Sequence, residues 1–257
     1  MEERYTLITG GSEGIGLELA KLFAKEGNNL VIVARDVDKL LEVKKELENE
    51  YKVKVKTFGI DFFVDNACEK LYKFVDENFL VVDKLINCAG MGSFGEFVNG
   101  EEGIEEKIIK LNISVLTDIT KHFLKKMIQD KKGSILNVAS TAAFTAGPKM
   151  AMYYSSKAYV LSLSEALYEE AKGYGVYVGC LCPGPVSTRF QEKAKIHKSE
   201  KANKFLMEAD KVAQIAYKGF YKRKAIIITG NKNKLLIWGN KLIPRSLSRK
   251  IILKNNK

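Results

Sequence analysis

Tyr153 and Lys157 stand four residues apart in YYSSK, so a helix would put a phenol and an ammonium on one face, a turn apart. A free tyrosine has a pKa of about 10 and exchanges its proton slowly at neutral pH. A neighbouring ammonium stabilises the phenolate and makes the phenol a usable acid or base. Near the start, TGGSEGIG (Thr9 to Gly16) reads as a glycine-rich turn between a strand and a helix. Gly10 permits the sharp turn, Gly14 lets the backbone approach a pyrophosphate, and Gly16 lets helix and sheet pack closely. The helix N-terminus then offers unpaired N–H groups and positive dipole character to phosphates. A phosphate cradle together with a tuned phenol is equipment for moving a hydride and a proton.

These groups need a scaffold that brings distant segments to one edge. The chain alternates strand and helix throughout. Residues 5–9, 29–34, 53–58, 83–88, 134–139, 176–182 and 225–229 read as strands. Several are near-continuous apolar runs, as strands buried on both faces should be. Helices are expected over about 15–27, 37–51, 64–78, 104–130, 152–173 and 210–222, with apolar residues such as Ile15, Leu19, Leu22 and Phe23 at helical spacing. The fold class is therefore α/β: a doubly wound, Rossmann-type parallel sheet of seven strands with helices on both faces. Its ligand site lies at the carboxyl ends of the strands. Residues 1–230 form one dinucleotide-binding and catalytic domain, and residues 231–257 form a basic amphipathic extension.

Bulk properties exclude several classes. With 257 residues and 46% hydrophobic content the chain suits a globular domain. No run of 18 apolar residues exists to span a membrane, and MEERYTLITGG leaves no room for a signal peptide. Cys68, Cys88, Cys180 and Cys182 lack paired ligand spacing, and only His122 and His197 accompany them, so no metal site is expected. Free thiols and a cytoplasmic location follow. The net charge of +11 is uneven. Eight of the 42 Lys and Arg side chains lie in residues 231–257, which hold no acid, so basicity belongs to the tail.

The spacing TGxxxGxG, the YxxxK pair, NCAG (Asn87 to Gly90) and PGPVST (Pro183 to Thr188) together resemble the classical short-chain dehydrogenase/reductase family over roughly residues 4–230. The resemblance implies a catalytic tetrad of Asn112, Ser140, Tyr153 and Lys157. Tyr153 would transfer the proton, Lys157 and the oxidised nicotinamide would together lower its pKa, and Lys157 would also hold the nicotinamide ribose. Ser140 would bind the substrate oxygen. Asn112 would bend its helix and hold a relay water. It also implies that Ser12, Glu13 and Ile15 join the three glycines around the phosphates, and that Asp61 meets the adenine. Asn87, Ala89 and Gly90 would line the cofactor, Pro183 and Gly184 would lie beside the nicotinamide, and the Val186 backbone and Thr188 hydroxyl would hold its carboxamide. Cys88 and Tyr154 are expected to be packing residues. Arg35, just after the second strand in VIVARD, falls where an acid would select NAD. Its guanidinium suits a 2′-phosphate, so NADP(H) is the expected cofactor and NAD(H) the lesser one. Asp36 and Glu13 stand against this assignment.

The substrate side is less legible. Residues 189–209 correspond to the family's substrate-covering loop and hold six Lys/Arg against three Glu, which suits either an acidic acyl thioester or plain solvent. Phe94, Phe144, Met150 and Met152 could line an apolar pocket or simply be core. The expected partner is a small carbonyl or alcohol, with a 3-oxoacyl thioester reductase and a non-catalytic NADP-binding sensor as rivals. No nucleic acid is expected. A homodimer or homotetramer is implied, with Ile119, Phe123, Leu161 and Tyr168 as contact residues or as core. The tail, with Leu235, Trp238, Leu242, Leu247 and Ile251, reads as two short helices broken near Pro244. They either pack these apolar side chains on the domain or lie on an anionic membrane.

Overall fold

In the computed structural model, residues 3–195 and 206–256 are described. Seven parallel strands make the sheet: β1 (Arg4–Thr9), β2 (Asn29–Ala34), β3 (Val55–Gly59), β4 (Val81–Asn87), β5 (Gly133–Val138), β6 (Val176–Cys182) and, after a two-residue pair β7 (Val186–Ser187) and β8 (Met207–Glu208), β9 (Ile226–Ile228). Their order is β3-β2-β1-β4-β5-β6-β9. The order reverses between β1 and β4, which opens a crevice at their carboxyl ends.

Alternate side chains of each strand feed opposite layers, because successive residues point to opposite faces. Ile8, Leu30, Ile32, Ile86 and Leu136 face helices α1 (Gly14–Lys25) and α2 (Val37–Tyr51). Leu7, Val31, Val33, Leu85 and Ile135 face α3 (Ala67–Glu77) and the helix over 116–129. The stretch read as one helix over 104–130 is three pieces: α4 (Ile104–Ile108), a π-helical segment Ile109–Val115 that contains Asn112, and α5 (Leu116–Gln129). α6 (Ala151–Lys172) carries Tyr153 and Lys157. After α7 (Phe190–Lys193), α8 (Ala209–Tyr221) packs its Val212, Ala216 and Phe220 beside Phe23 of α1.

Two readings left open by the sequence are decided by burial. Ile119, Phe123 and Leu161 are buried inside the single chain, and Tyr168 stacks edge-on against Tyr177 of β6. All four pack in or against the core, because α5 and α6 each turn a wide apolar face to the sheet. The tail does form two helices broken at Pro244, α9 (Asn231–Leu242) and α10 (Arg245–Asn255). Its apolar residues, however, face the wrong way for packing. Trp238 is 69% exposed and Leu242 83%, whereas Ile237 and Ser248 are buried. Asn233, Ile237 and Asn240 share the inward face at helical spacing, and polar side chains there satisfy loop carbonyls that an apolar face would leave unpaired.

Gly16 fixes the approach of α1 to β1. A Cβ there would lie 2.1 Å from the Gly10 carbonyl oxygen, a backbone atom that cannot move aside. Gly16→Ala should therefore destabilise the fold by roughly 1–3 kcal/mol. Chemical denaturation checks this, and an unchanged midpoint would contradict the close approach.

Candidate active site

The glycine turn, Arg35, Asp61, NCAG, Ser140 and PGPVST lie at or just beyond the carboxyl ends of β1 to β6, and Asn112, Tyr153 and Lys157 lie on the helical segments that follow β4 and β5. Thr9 ends β1, and its Oγ1 accepts the N–H groups of both Cys88 and Ala89 at 3.1 Å. This clamp ties the glycine turn to the NCAG segment across the crevice, a role that the first letter of the TGxxxGxG motif could have signalled. α1 begins at Gly14 with no side chain capping it and no acid in its first turn. Its leading N–H groups are thus available to an anion. Gly10 and Gly14 have positive φ, and a Cβ on Gly14 would reach 3.2 Å from Thr188, so the PGPVST segment closes the far wall. Ser12 is buried beside them. The residues present fit a dinucleotide cradle on these grounds.

The NCAG stretch divides its work. Asn87 is buried. Its amide donates to Thr120 Oγ1 and to Asn137 Oδ1, both at 2.9 Å, so it braces the sheet's interior. Cys88 packs against the apolar layer of α1, as expected, and burial pushes its thiol up to about 11. Gly90 is the open point: a Cβ there would come within 3.3 Å of both Asn112 Oδ1 and Lys157 Nζ. Asp61, two residues beyond β3, accepts the Phe63 N–H at 3.1 Å, which stiffens that turn.

Around Glu13 the charges converge in a way the sequence did not reveal. Its carboxylate pairs with Lys39 at 3.5 Å, with Arg189 at 3.7 Å and closely with Lys193. Burial raises its pKa, but the Lys193 and Lys39 contacts outweigh that and hold it below the ordinary value. Three cations therefore surround one acid, and the charge in this corner is net positive. Asp36 is also accounted for. It caps α2, accepting the Lys39 N–H at 3.0 Å, which turns its carboxylate onto the helix N-terminus. Arg35 beside it is exposed to solvent at the end of β2.

Ser140, Tyr153 and Lys157 meet where β5 ends and α6 begins. Ser140 accepts the Ala142 N–H at 3.1 Å and donates to the Pro183 carbonyl at 3.4 Å, and its hydroxyl acts on the Tyr153 phenol to favour the phenolate. Gly184 beside Pro183 abuts Asn233 of the tail. Lys157 is buried, donates to the Val138 carbonyl at 2.9 Å, and holds its ammonium 5.9 Å above the Tyr153 ring. Burial lowers the Lys157 pKa to about 8. Burial also pushes Tyr153 up to about 12, with the Ser140 hydroxyl pulling the other way. The expected lowering of the phenol's pKa is thus not produced by this chain alone, because the ammonium points at a backbone carbonyl and not at the phenol oxygen.

Asn112 sits within the π-helical bend, as read from the sequence. Its side chain is committed: it takes the Met91 N–H at 2.9 Å, and donates to the Met91 carbonyl at 2.8 Å and to Ser156 Oγ at 3.0 Å. The side chain thereby pins the loop after β4 to α6. Phe190, missed in the sequence, lies against the Tyr153 ring with centroids 5.4 Å apart, and Gly92 admits it only by lacking a Cβ. Phe144 packs on the core beside α6, Met150 is buried, and Tyr154 packs over Gly147. Part of the expected substrate-covering segment, residues 196–205, lies outside the described residues, and His197 with it. Among the described residues no cluster of His, Cys, Asp and Glu could hold a metal ion, and no helix is long and apolar enough to cross a membrane.

Comparison with known proteins adds a context. The family described as short chain dehydrogenase matches residues 4–199. The very-long-chain 3-oxoacyl-CoA reductase of Rattus norvegicus is 30% identical over 198 residues, covering 76% of this chain and 62% of that protein's length. An uncharacterized oxidoreductase of Staphylococcus saprophyticus is 30% identical over 188 residues, 73% of this chain and 80% of that one. Among solved structures, a short-chain dehydrogenase from Sphingobium yanoikuyae in complex with NADPH is 30% identical and superposes with a TM-score of 0.82 over 93% of each chain.

Proposed function

Because the chain belongs to the short chain dehydrogenase family of oxidoreductases, we propose that it is an NADPH-dependent reductase interconverting a carbonyl and a secondary alcohol. The observation that carries this reading is the meeting of Ser140, Tyr153 and Lys157 at the carboxyl edge of the sheet, across from the uncapped start of α1. Bound NADPH would supply the hydride. The first turn of α1 would bind the pyrophosphate, and the PGPVST segment would orient the carboxamide. Ser140 would hydrogen-bond the substrate oxygen and stabilise its developing charge. Tyr153, neutral at physiological pH because burial raises its pKa, would give its hydroxyl proton to that oxygen. Lys157 would balance the phenolate left behind. Asn112 would hold the Met91 loop against α6, keeping the wall beside Gly90 in place.

The preference for NADPH rests on the exposed Arg35 guanidinium at the end of β2 and on the three cations, Lys39, Arg189 and Lys193, gathered at Glu13. Arg35→Asp should weaken NADPH binding by at least about tenfold, since a charge-assisted contact of some 1.5–3 kcal/mol is replaced by repulsion. NADH, which lacks the 2′-phosphate, should lose little. Fluorescence titration of both cofactors reads this, and equal losses would mean that Arg35 does not contact the phosphate.

A narrower reading, reduction of a 3-oxoacyl thioester, is favoured by the likeness to the very-long-chain 3-oxoacyl-CoA reductase of Rattus norvegicus. Purified protein with NADPH, assayed against ketones, aldehydes and 3-oxoacyl thioesters, separates the two. Oxidation of NADPH by none of them would overturn the enzymatic reading in favour of a cofactor-binding sensor. A homodimer or homotetramer remains part of the proposal. Its contact would use outward residues of α5 and α6 such as Thr117 and Tyr159, whose hydroxyls bond each other at 2.8 Å.

A further inference from the structure

The tail is amphipathic in the inverse sense. In α9, Leu235, Trp238 and Leu242 recur at helical spacing on the side away from the domain, with exposures of 75%, 69% and 83%. Leu236 adds a further 70% exposed side chain. Leu247 and Ile251 continue the outward apolar surface on α10, at 48% and 44%. Opposite them, the helices grip the body by polar contacts. Asn240 donates to the Phe144 carbonyl at 3.4 Å, Thr145 and Ser248 hydroxyls meet at 2.9 Å, and Asn256 donates to the Pro148 carbonyl at 2.8 Å. So many large apolar side chains gathered on one outward face are more than scattered surface hydrophobes.

The charges name the occupant. Residues 231–257 carry eight Lys and Arg and no acid. Lys234 and Lys241 flank the apolar stripe of α9, and Lys241 lies 6.0 Å from the Trp238 ring. A second copy applied by a two-fold axis would set this cationic surface against its twin with no carboxylate between them. A bilayer rich in anionic lipid complements both features at once, with apolar side chains entering the acyl boundary and lysines meeting headgroup phosphates. We propose that α9 and α10 dock the protein flat on an anionic membrane surface. The grip on Phe144, Thr145 and Pro148 brings these helices to the segment that leads into α6, where Tyr154 packs over Gly147 beside Tyr153. On the reductase reading above, the reacting pocket would then open close to the lipid, where a long-chain or otherwise membrane-dissolved carbonyl compound is concentrated.

Trp238 is the chain's single tryptophan, so its fluorescence reports the face directly. Vesicles of equal parts phosphatidylglycerol and phosphatidylcholine should shift the full-length protein's emission to the blue and carry it into the pellet. Pure phosphatidylcholine should bind it at least about tenfold less, and added salt should weaken the anionic case by screening. The variant Leu235→Ser/Leu236→Ser/Leu242→Ser should lose at least about tenfold in vesicle affinity, because its apolar insertion is removed. It should keep wild-type activity on a water-soluble ketone, since those side chains touch nothing in the site. Wild-type protein left in the supernatant with anionic vesicles at low salt would overturn the proposal. So would full vesicle binding by the triple variant. A wild-type dimer that this variant converts to monomer, without any vesicle binding, would assign the face to a second copy instead. NADPH turnover in solution is measured separately, so failure of the docking proposal leaves the reductase reading intact, and the reverse.

Discussion

Tyr153→Phe should bind NADPH almost as tightly as the parent and turn over at least about a hundredfold more slowly, the usual scale for loss of a general acid. The ring remains, so its contact with Phe190 and the ammonium above it survive. Only the hydroxyl is lost, and with it the proton that must reach the substrate oxygen. Stopped-flow turnover beside a cofactor titration separates the two effects. A variant within a factor of two of wild type on any accepted carbonyl would remove Tyr153 from the chemistry. The direction of the pKa shift adds a second reading. Burial raises the phenol to about 12, so the group is protonated throughout the neutral range. Carbonyl reduction, which needs the proton, should be nearly flat between about pH 6 and 8. Alcohol oxidation, which needs the phenolate, should climb with pH over the same interval.

Lys157→Met should couple a large loss of activity to a gain in stability. The loss follows from removing the ammonium set over Tyr153, and at least about a hundredfold in turnover is expected. The gain follows from desolvation. An ordinary lysine holds its proton up to 10.5, but burial lets Lys157 hold it only to about 8. Between those values the unfolded chain binds more protons than the folded one, so stability rises with pH across that window. Below about pH 8 the buried ammonium costs folding its full amount, at most about 3 kcal/mol. Methionine has a similar length and no charge, and gives up only the hydrogen bond to Val138. Without added cofactor, the variant should melt above wild type at pH 7, and its advantage should shrink toward about pH 10. A lower melting temperature at pH 7 would mean that the ammonium is a net structural asset and is not held at a cost for function.

The sheet, its parallel sense and the cradle at its carboxyl edge were legible in the sequence because their physics is local. Apolar runs of strand length, helical periodicity between them and glycines at TGxxxGxG each act within a few residues of themselves. YxxxK was legible for the same reason, since one helical turn fixes the geometry of the pair. What only the tertiary structure decided depends on groups brought together from far along the chain. Thr9 bonds a backbone eighty residues away, Asn112 spends its amide on Met91 and Ser156, and Glu13 gathers Lys39, Arg189 and Lys193. The orientation of amphipathic surfaces belongs to the same class. Periodicity told that Ile119 and Phe123 share an apolar face, and that Trp238 and Leu242 share another. It did not tell that the first is consumed by the core and the second left outward. A hydrophobic stripe states that it prefers to leave water, and only the packed chain determines whether the protein itself provides the place.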